Sequence, residues 1–251
     1  MGKLIYAILT EKHSNQNLSS LLTGMRGLKG QELLAVSCEE IIAIISNVDK
    51  VSTIPERSGA IEYAGIIEHL SQYYTLLPMR YGSIMETPDD IKNMLGRNYE
   101  EIHQNLMYVQ NKFEFGLKIL CDFTKLKTEI QDKSPIHNLL PETQNSAHQT
   151  SIYRNWVNKK LHEHRLEELV VTYVDSIINK ITTTLNELNS IQKFKKMVTE
   201  SILVDSVFLL DKELKNDLLA KISALQNQFP ELNFVLTGPW PPYSFVKFQV
   251  K

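Results

Sequence analysis

One short segment near the C-terminus, residues 238–245, restricts the possible folds more than any other part of the chain. It reads Gly-Pro-Trp-Pro-Pro-Tyr-Ser-Phe and follows an apolar run with the character of a strand. Each proline holds φ at about −65° and lacks a backbone N–H, so the segment cannot continue a helix or form a central strand. A stiff segment loses little entropy when it docks. We therefore expect an ordered, extended arm that packs or docks, and not a catalytic loop.

The composition is that of a globular protein without a strong charge bias. At 251 residues and 43% hydrophobic content, the chain is long enough for two modest domains or one large domain. A formal net charge of −2 gives no electrostatic footprint for nucleic acid or an anionic membrane, and no uncharged apolar run approaches membrane-spanning length. Cys38 and Cys121 lie in apolar surroundings, as inert thiols in a reducing compartment do. With no signal-peptide pattern at its start, the sequence predicts a cytoplasmic protein.

Strand-like and helix-like patterns alternate in the first part of the chain. Glu39 and Glu40 stand between two apolar runs, which predicts a hairpin despite poor turn chemistry. In chain order, the pattern predicts a strand at residues 3–9, a loop at 14–31 and the hairpin strands at 33–38 and 41–46. A helix at 58–73 and a further strand at 76–84 follow.

A helix-capping signal opens the second part of the chain. Thr87 is a good N-cap, and Pro88 stands at the first helical position. The pattern then predicts a helix as far as Val109, a strand at 113–120 and an aperiodic insertion at 122–151. It next predicts a long helix at 153–188 and a strand at 201–210. A helix capped by Asp211, at 211–229, and a last strand at 232–237 follow.

This order of elements predicts an α+β protein. Hairpin-length connections and alternating helices favour two small ferredoxin-like domains with antiparallel or mixed sheets, followed by an extended C-terminal arm. The boundary is expected near residue 86. Residues 1–85 would form an N-terminal α+β domain, and residues 86–251 a C-terminal α+β domain with a long insertion at 122–151 and the C-terminal arm at 238–251.

No set of side chains has the spacing that catalysis or metal binding requires. His162 and His164 stand two residues apart, so on a helix they point about 200° away from each other and cannot hold one ion. Adjacent carboxylates such as Glu100 and Glu101 also diverge, as on a solvated helix face. We therefore expect no catalytic residue, no metal site and no cofactor, and a protein that is not an enzyme.

Two other classes of protein use ferredoxin-like sheets, namely RNA-binding modules and small-molecule enzymes. Phe113 and Phe115 share one face of a strand, as aromatic residues do on RNA-binding sheets, but Glu114 lies between them and the glycine order does not fit that signature. One core face is the better interpretation of such a pair. The lysines at 193, 195 and 196 are too few for nucleic acid, and the enzyme class lacks convergent titratable groups.

Two motifs carry a resemblance to a known family. Gly-Pro-Trp-Pro-Pro-Tyr-Ser-Phe-Val at residues 238–246 resembles the C-terminal signature of the gas vesicle protein F/L family. Leu-Pro-Met-Arg-Tyr-Gly-Ser-Ile at residues 77–84 resembles its mid-chain motif, with Tyr81 where Phe is commoner. As in the family, a capped helix and a Glu-containing strand follow. The resemblance spans essentially the whole chain and is weakest in residues 122–151, and F and L members share both motifs.

The resemblance implies a minor, non-enzymatic gas vesicle protein with two α+β domains. Such a protein helps to assemble the shell and contacts the main gas vesicle shell protein and other accessory proteins, with no nucleic acid or membrane partner. It also implies a location in the gas vesicle, on the gas-facing inner side of the shell, after a cytoplasmic stage. The expected structural and interaction motif comprises Pro78, Arg80, Tyr81, Gly82, Gly238, Pro239, Trp240, Pro241, Pro242, Tyr243 and Phe245.

The sequence leaves two roles open for these residues. The rings of the arm either pack on the protein itself or anchor a partner, and internal packing is the favoured interpretation for Trp240 and Phe245 because exposed apolar patches are disfavoured. Arg80 either pairs with an internal carboxylate or presents its planar fork to a partner.

Overall fold

The computed structural model describes residues 2–11, 17–49, 57–133, 149–188, 190–196 and 201–246. These residues form helices together with antiparallel sheets, so the predicted α+β class is confirmed. The described chain divides into two compact units. The first comprises Met1–Phe115, Leu209–Lys212 and Thr237–Lys251, and the second comprises Gly116–Phe208 and Glu213–Leu236.

The first sheet is built around a central strand, β1 (Gly2–Thr10). Among the described residues the strand order is β2 (Leu33–Cys38), β3 (Ile41–Val48), β1 and β4 (Leu76–Pro78), and a short β5 (Ile84–Met85) also pairs with β1. All of these pairings are antiparallel. With α1 (Leu18–Thr23) and α2 (Arg57–Tyr73) between strands, the chain follows the β-α-β-β-α-β path of the ferredoxin-like motif.

Strand β1 is the core of the first unit. Residues 4–9 are each no more than 1% exposed, so both faces of this strand are covered. Helix α2 packs on β1 and β4, α3 (Pro88–Arg97) packs on β2, β3 and β5, and α4 (Tyr99–Tyr108) packs on β4. The register of β1 shifts between Ile5 and Ala7, which brings both Tyr6 and Ala7 into the core that contains Tyr63 of α2.

Local signals in the first unit are confirmed at the hairpin and at the helix cap. The β2–β3 hairpin turns over two residues, with Glu39 in the left-handed region at φ 55°. At the start of α3, the Thr87 hydroxyl accepts a hydrogen bond from the Asp90 N–H at 3.1 Å, and the Asp90 carboxylate accepts one from the Thr87 N–H at 3.1 Å. This reciprocal capping box fixes where α3 begins.

Two longer elements predicted in this part are interrupted. The single helix predicted as far as Val109 is wrong, because Asn98 separates α3 from α4 and its side-chain amide donates to the Met94 carbonyl at 2.7 Å. The single strand predicted at residues 76–84 is also wrong, because β4 ends at Pro78 and a turn precedes β5. Side-chain hydrogen bonds and a left-handed glycine, Gly82 at φ +89°, cause these interruptions.

The second sheet repeats the strand order of the first. Among the described residues it runs β7 (Ile191–Lys196), β8 (Ile202–Asp211), β6 (Lys112–Cys121) and β9 (Leu232–Trp240). Helices α5 (Phe123–Lys133) and α6 (Gln149–Asn186) lie between β6 and β7 in the chain, and α7 (Lys215–Gln228) lies between β8 and β9. The same β-α-β-β-α-β path therefore occurs twice, and the ferredoxin-like prediction is confirmed.

Three local features of this part differ from the sequence pattern. Residues 123–133 form α5 within the insertion predicted at 122–151, whereas residues 134–148 lie outside the described residues. Strand β7 is absent from the prediction, because its run Ile-Gln-Lys-Phe-Lys-Lys is half lysine. Asp211 ends β8 and does not cap a helix; a 3-10 turn at Lys212–Leu214 follows, and α7 has no side-chain cap.

The predicted domain boundary near residue 86 falls between β5 and α3, inside the first compact unit. Compactness does not measure independent folding, so this boundary stays a prediction that limited proteolysis can test.

Candidate interaction site

A buried carboxylate on β6 holds the C-terminal arm. Glu114 is 6% exposed. Its Oε2 atom accepts a hydrogen bond from the Ser244 backbone N–H at 2.6 Å, and its Oε1 atom accepts one from the Ser244 hydroxyl at 2.7 Å. Hydrogen bonds to an ionised carboxylate are short and about twice as strong as neutral ones. This Glu114 clamp joins two segments that are 130 residues apart in the sequence.

The arm is extended only at its start. It continues β9 as far as Trp240 and then turns, since the Tyr243 N–H donates to the Pro241 carbonyl at 2.7 Å and the Phe245 N–H donates to the Pro242 carbonyl at 3.2 Å. The turns separate the three rings. Phe245 is 6% exposed, whereas Trp240 and Tyr243 are 37% and 41% exposed. The arm therefore has one ring in the core and two rings at the surface.

Gly238 permits the entry of the arm. Its φ is +107°, and the Gly238–Pro239 peptide bond is cis. A Cβ atom at this position would lie 2.8 Å from the Glu114 carbonyl oxygen and 3.2 Å from the ring of Phe115. Both the backbone conformation and the lack of space select glycine here.

Lys212 lies close to the part of the arm that contains the buried Pro242. Pro242 lines a small cavity together with Ser71, Phe113 and Lys212. The Lys212 ammonium group donates to the Ser71 carbonyl at 3.1 Å and lies 4.3 Å from the centroid of the Phe113 ring. Burial lowers the pKa of Lys212. The last turn of α2 is thereby fastened next to the buried proline of the arm.

The mid-chain motif forms a rigid turn. Pro78 ends β4 opposite Ala7 of β1. The Arg80 carbonyl then accepts hydrogen bonds from the Ser83 N–H at 3.0 Å and from the Ser83 hydroxyl at 2.7 Å, while Gly82 supplies the left-handed conformation at φ +89°. This geometry is that of a glycine-dependent turn that closes on itself.

Tyr81 points inward from this turn and joins a stack of phenol rings. Its ring centroid lies 5.0 Å from that of Tyr63, which in turn lies 4.9 Å from that of Tyr6. Gly59 of α2 makes room, since a Cβ atom there would lie 2.6 Å from the Tyr81 hydroxyl. Offset and tilted pairs of this kind add stability beyond the area they bury.

The mid-chain motif contacts the buried Tyr63 of α2. Its hydroxyl donates to the Ile5 carbonyl at 2.7 Å, and the Met79 carbonyl lies within hydrogen-bond distance of the same hydroxyl at 3.0 Å. The pKa of Tyr63 is raised above its ordinary value, first by burial, then by the phenol of Tyr243 and by two neighbouring tyrosines. Burial, with Glu68 and Glu114 nearby, likewise raises the pKa of Tyr243 to about 12. Both phenols are therefore neutral at physiological pH.

Arg80, unlike Tyr81 of the same turn, has its side chain at the surface. It is exposed, and among the described residues its guanidinium group has no hydrogen-bond or ion-pair partner. The turn holds the backbone of Arg80, so its exposed planar guanidinium group is attached to an ordered segment. The alternative of an internal ion pair for Arg80 finds no support in the described part of the chain.

Sequence reasoning missed two residues of this site, Glu114 and Tyr63. The signal for Glu114 is a charged residue between two aromatic residues of one strand, at a position that alternation assigns to the opposite face. No comparable signal marks Tyr63, because a tyrosine on the apolar face of a helix is ordinary core. Both act through carbonyl, amide or carboxylate partners that are distant in the sequence.

Removing the Glu114 clamp is expected to loosen the arm. Glu114→Ala should lower the free energy of unfolding by about 1–3 kcal/mol, the range for deleting one partner of a buried hydrogen bond. Glu114→Gln should cost less, because an amide oxygen still accepts from the Ser244 N–H. Amide hydrogen exchange at Ser244 measures the release directly. Glu101→Ala, at an exposed position on α4, is the control, and equal exchange at Ser244 in all variants would contradict the clamp.

The histidines considered for metal binding lie on α6. Within the described ranges, no group of three or more His, Cys, Asp or Glu residues is placed to hold an ion. His164 is exposed and lies 3.5 Å from the Glu168 carboxylate one helical turn away, while the side chain of His162 lies outside the described residues. None of the described helices combines the length and apolar character needed to cross a bilayer.

The fold and the site together define an α+β protein in which a buried carboxylate holds a C-terminal arm, a tyrosine stack holds a mid-chain turn, and an arginine and two rings of these motifs lie at the surface. The family model described as Gas vesicle synthesis protein GvpL/GvpF matches residues 2–247. Because this match covers nearly the whole chain, the protein belongs to that family, and its role is related to gas vesicles.

Individual relatives agree with this assignment. Gas vesicle protein L1 of Halobacterium salinarum is 21% identical, over 97% of this chain and 90% of that protein. Gas vesicle protein F1 of the same organism is 21% identical, over 90% of this chain and 87% of that protein. The crystal structure of GvpF from Anabaena sp. PCC7120 has a TM-score of 0.74 at 16% identity, covering 99% of this chain and 97% of that chain. GvpF from Microcystis aeruginosa also has a TM-score of 0.74 at 16% identity, with 98% and 99% covered.

Proposed function

We propose that this protein is a non-enzymatic assembly protein of gas vesicles that contacts the main shell protein and other accessory proteins while vesicles form. The observation that carries the proposal is the arm itself. Its ends are fixed by Gly238, the Glu114 clamp and the buried ring of Phe245, yet Trp240 and Tyr243 remain 37% and 41% exposed. A rigid segment that holds two large rings at the surface is suited to docking, because little entropy is lost on binding.

The proposed contact surface consists of Arg80, Trp240 and Tyr243. Tryptophan, tyrosine and arginine are the residues most enriched among those that dominate binding energy at protein interfaces. All three belong to the first compact unit, and each stands on a segment that the fold holds in place. A shell that encloses gas must exclude water, so its subunits offer apolar surface, and the two rings fit such a partner.

Single substitutions at this surface test the proposal. Arg80→Ala and Trp240→Ala should each weaken capture of the main shell protein by about tenfold or more, because truncating such a residue commonly costs about 2 kcal/mol. In a heterologous expression cluster, the yield of buoyant vesicles should fall. Arg97→Ala, which removes the same charge from an exposed position on α3, is the matched control and should behave like the wild type.

Soluble protein level and melting temperature separate a lost contact from a lost fold. Loss of vesicles with normal amounts of folded protein supports the contact surface, and loss of folded protein assigns the residue to stability. Wild-type capture and vesicle yield for both variants would contradict the proposal.

The proposal includes a location on the gas-facing inner side of the shell once vesicles have formed. The exposed rings of Trp240 and Tyr243 support this location, because apolar rings suit contact with an apolar wall. At that location, protease should leave the chain uncut in intact vesicles and cut it in collapsed ones, whereas cleavage in intact vesicles would place it outside.

A further inference from the structure

Strand β9 forms one edge of the second sheet in the described chain, with β6 as its neighbour. Its nine residues, Leu232–Trp240, include no charged side chain. An uncharged strand at a sheet edge presents unpaired N–H and C=O groups that can pair with another chain, which proteins commonly prevent with charges, prolines or covering groups. The edge of β9 is therefore open to pairing with another chain unless other groups of the protein cover it.

The side chain of Gln226 on α7 supplies that protection. Its amide nitrogen donates to the Leu232 carbonyl at 2.6 Å, and its amide oxygen accepts from the Phe234 N–H at 3.1 Å. Leu232 and Phe234 are two residues apart, so their backbone groups point to the same side of the strand. One carboxamide thus makes the two hydrogen bonds that a neighbouring strand would make at these positions.

Gln226 lies on the side of β9 where the described residues place no neighbouring strand. The Phe234 N–H has one hydrogen, and because Gln226 accepts it, this group does not bond to β6. Alternate residues of a strand direct their backbone groups to the same edge, so Leu232 and Phe234 both face away from β6. Gln226 therefore covers the first pair of bonding positions on the outer edge of β9.

The opposite edge of the same sheet is protected by other means. Strand β7 reads Ile-Gln-Lys-Phe-Lys-Lys, and its Lys193 is exposed. Lysines on an edge strand repel a second copy of that strand. Strand β9 has no charged residue, so on this edge the hydrogen bonds of Gln226 take the protective role that lysines have on β7.

We propose that Gln226 is a gatekeeper that prevents β9 of one molecule from pairing with β9 of a second copy. The second copy is the occupant because two identical uncharged strands can pair antiparallel about a twofold axis without like-charge repulsion. The side chain stabilises the single chain by satisfying the edge internally. This role goes beyond the proposed contact with the vesicle shell and does not depend on it.

Removal of the carboxamide tests the proposal. Gln226→Ala should shift the purified protein from the mass of one chain to that of two or more as concentration rises, measured by light scattering after size-exclusion chromatography. In the dilute, single-chain fraction the Phe234 amide should exchange its hydrogen faster than in the wild type. Gln228→Ala, an exposed position on the same helix, is the control and should remain a single chain.

A second variant separates edge pairing from misfolding. Val235 is 37% exposed on β9, and Val235→Lys places a charge beside the edge. Combined with Gln226→Ala, it should restore the mass of one chain, because two copies of the strand would then repel each other. Association that persists in the double variant would overturn the proposal, as would a Gln226→Ala protein that stays a single chain at every concentration at which the wild type does.

Discussion

Replacing Phe245 by Ala is expected to lower the free energy of unfolding by about 3–5 kcal/mol, the usual cost of deleting a buried aromatic side chain. Phe245 is 6% exposed and directly follows Ser244, which the Glu114 clamp holds. The arm therefore cannot easily shift to fill the space that the ring leaves. Urea denaturation of the wild type and the variant, followed by circular dichroism, measures the loss.

Tyr243→Ala is the matched control for this prediction. Tyr243 lies two residues earlier on the same arm but is 41% exposed, so its truncation should cost about 1 kcal/mol or less, as surface substitutions usually do. Equal losses for the two variants would contradict the separation of the arm into one buried ring and surface rings. A small loss for Phe245→Ala would show that the arm contributes little to the folded core.

Features that depend on a few neighbouring residues could be predicted from the sequence. The hairpin around Glu39, the capping box at Thr87 and the helical spacing of α2 all rest on interactions within a turn or two of the chain. The α+β class follows from the order of such elements, because a strand or helix with one apolar face must cover it with another element. The proline-rich arm was recognisable for the same reason, since proline limits its own residue directly.

Features that depend on distant partners could not be predicted in this way. The Glu114 clamp joins residues 130 positions apart, and nothing near Glu114 indicates which atoms its carboxylate accepts. The break at Asn98 depends on a side-chain amide that replaces a helical hydrogen bond. Strand β7 has an edge position, where lysines are favoured, so its composition resembles a loop. In each case tertiary context outweighs the local pattern.

The repeated strand order explains why β9 can lead into a proline-rich arm. In both sheets the strand that comes fourth in the chain lies next to the first strand at one end of the order, so β9 is an edge strand of the described sheet. A proline on an edge strand can disturb the hydrogen bonds to one neighbour at most, because the strand has no second neighbouring strand. The arm can therefore continue β9 through Pro239 and turn toward Glu114 without breaking the sheet.

Gly238 is where the arm begins, and Gly238→Ala is expected to lower the free energy of unfolding by about 2 kcal/mol or more. The first reason is backbone conformation, because φ is +107° and an alanine there is strained. The second is space, since the added Cβ would lie 2.8 Å from a backbone oxygen of Glu114, which cannot rotate away as a side chain can. The arm would have to shift, and the Ser244 amide should exchange hydrogen faster as well.

Gly65→Ala provides a control with the opposite expected sign. Gly65 lies in α2 and is exposed, and among the described residues an added Cβ would meet no atom within 4 Å beyond its neighbours and the backbone of its own helix. Alanine there should therefore stabilise the protein by about 0.5–1 kcal/mol through its better helix propensity. Urea denaturation of both variants measures the two changes under one condition. If both substitutions stabilised the protein, the entry of the arm would not require glycine. Opposite signs would show that the conformation at Gly238, and not the loss of a glycine as such, holds the arm in place.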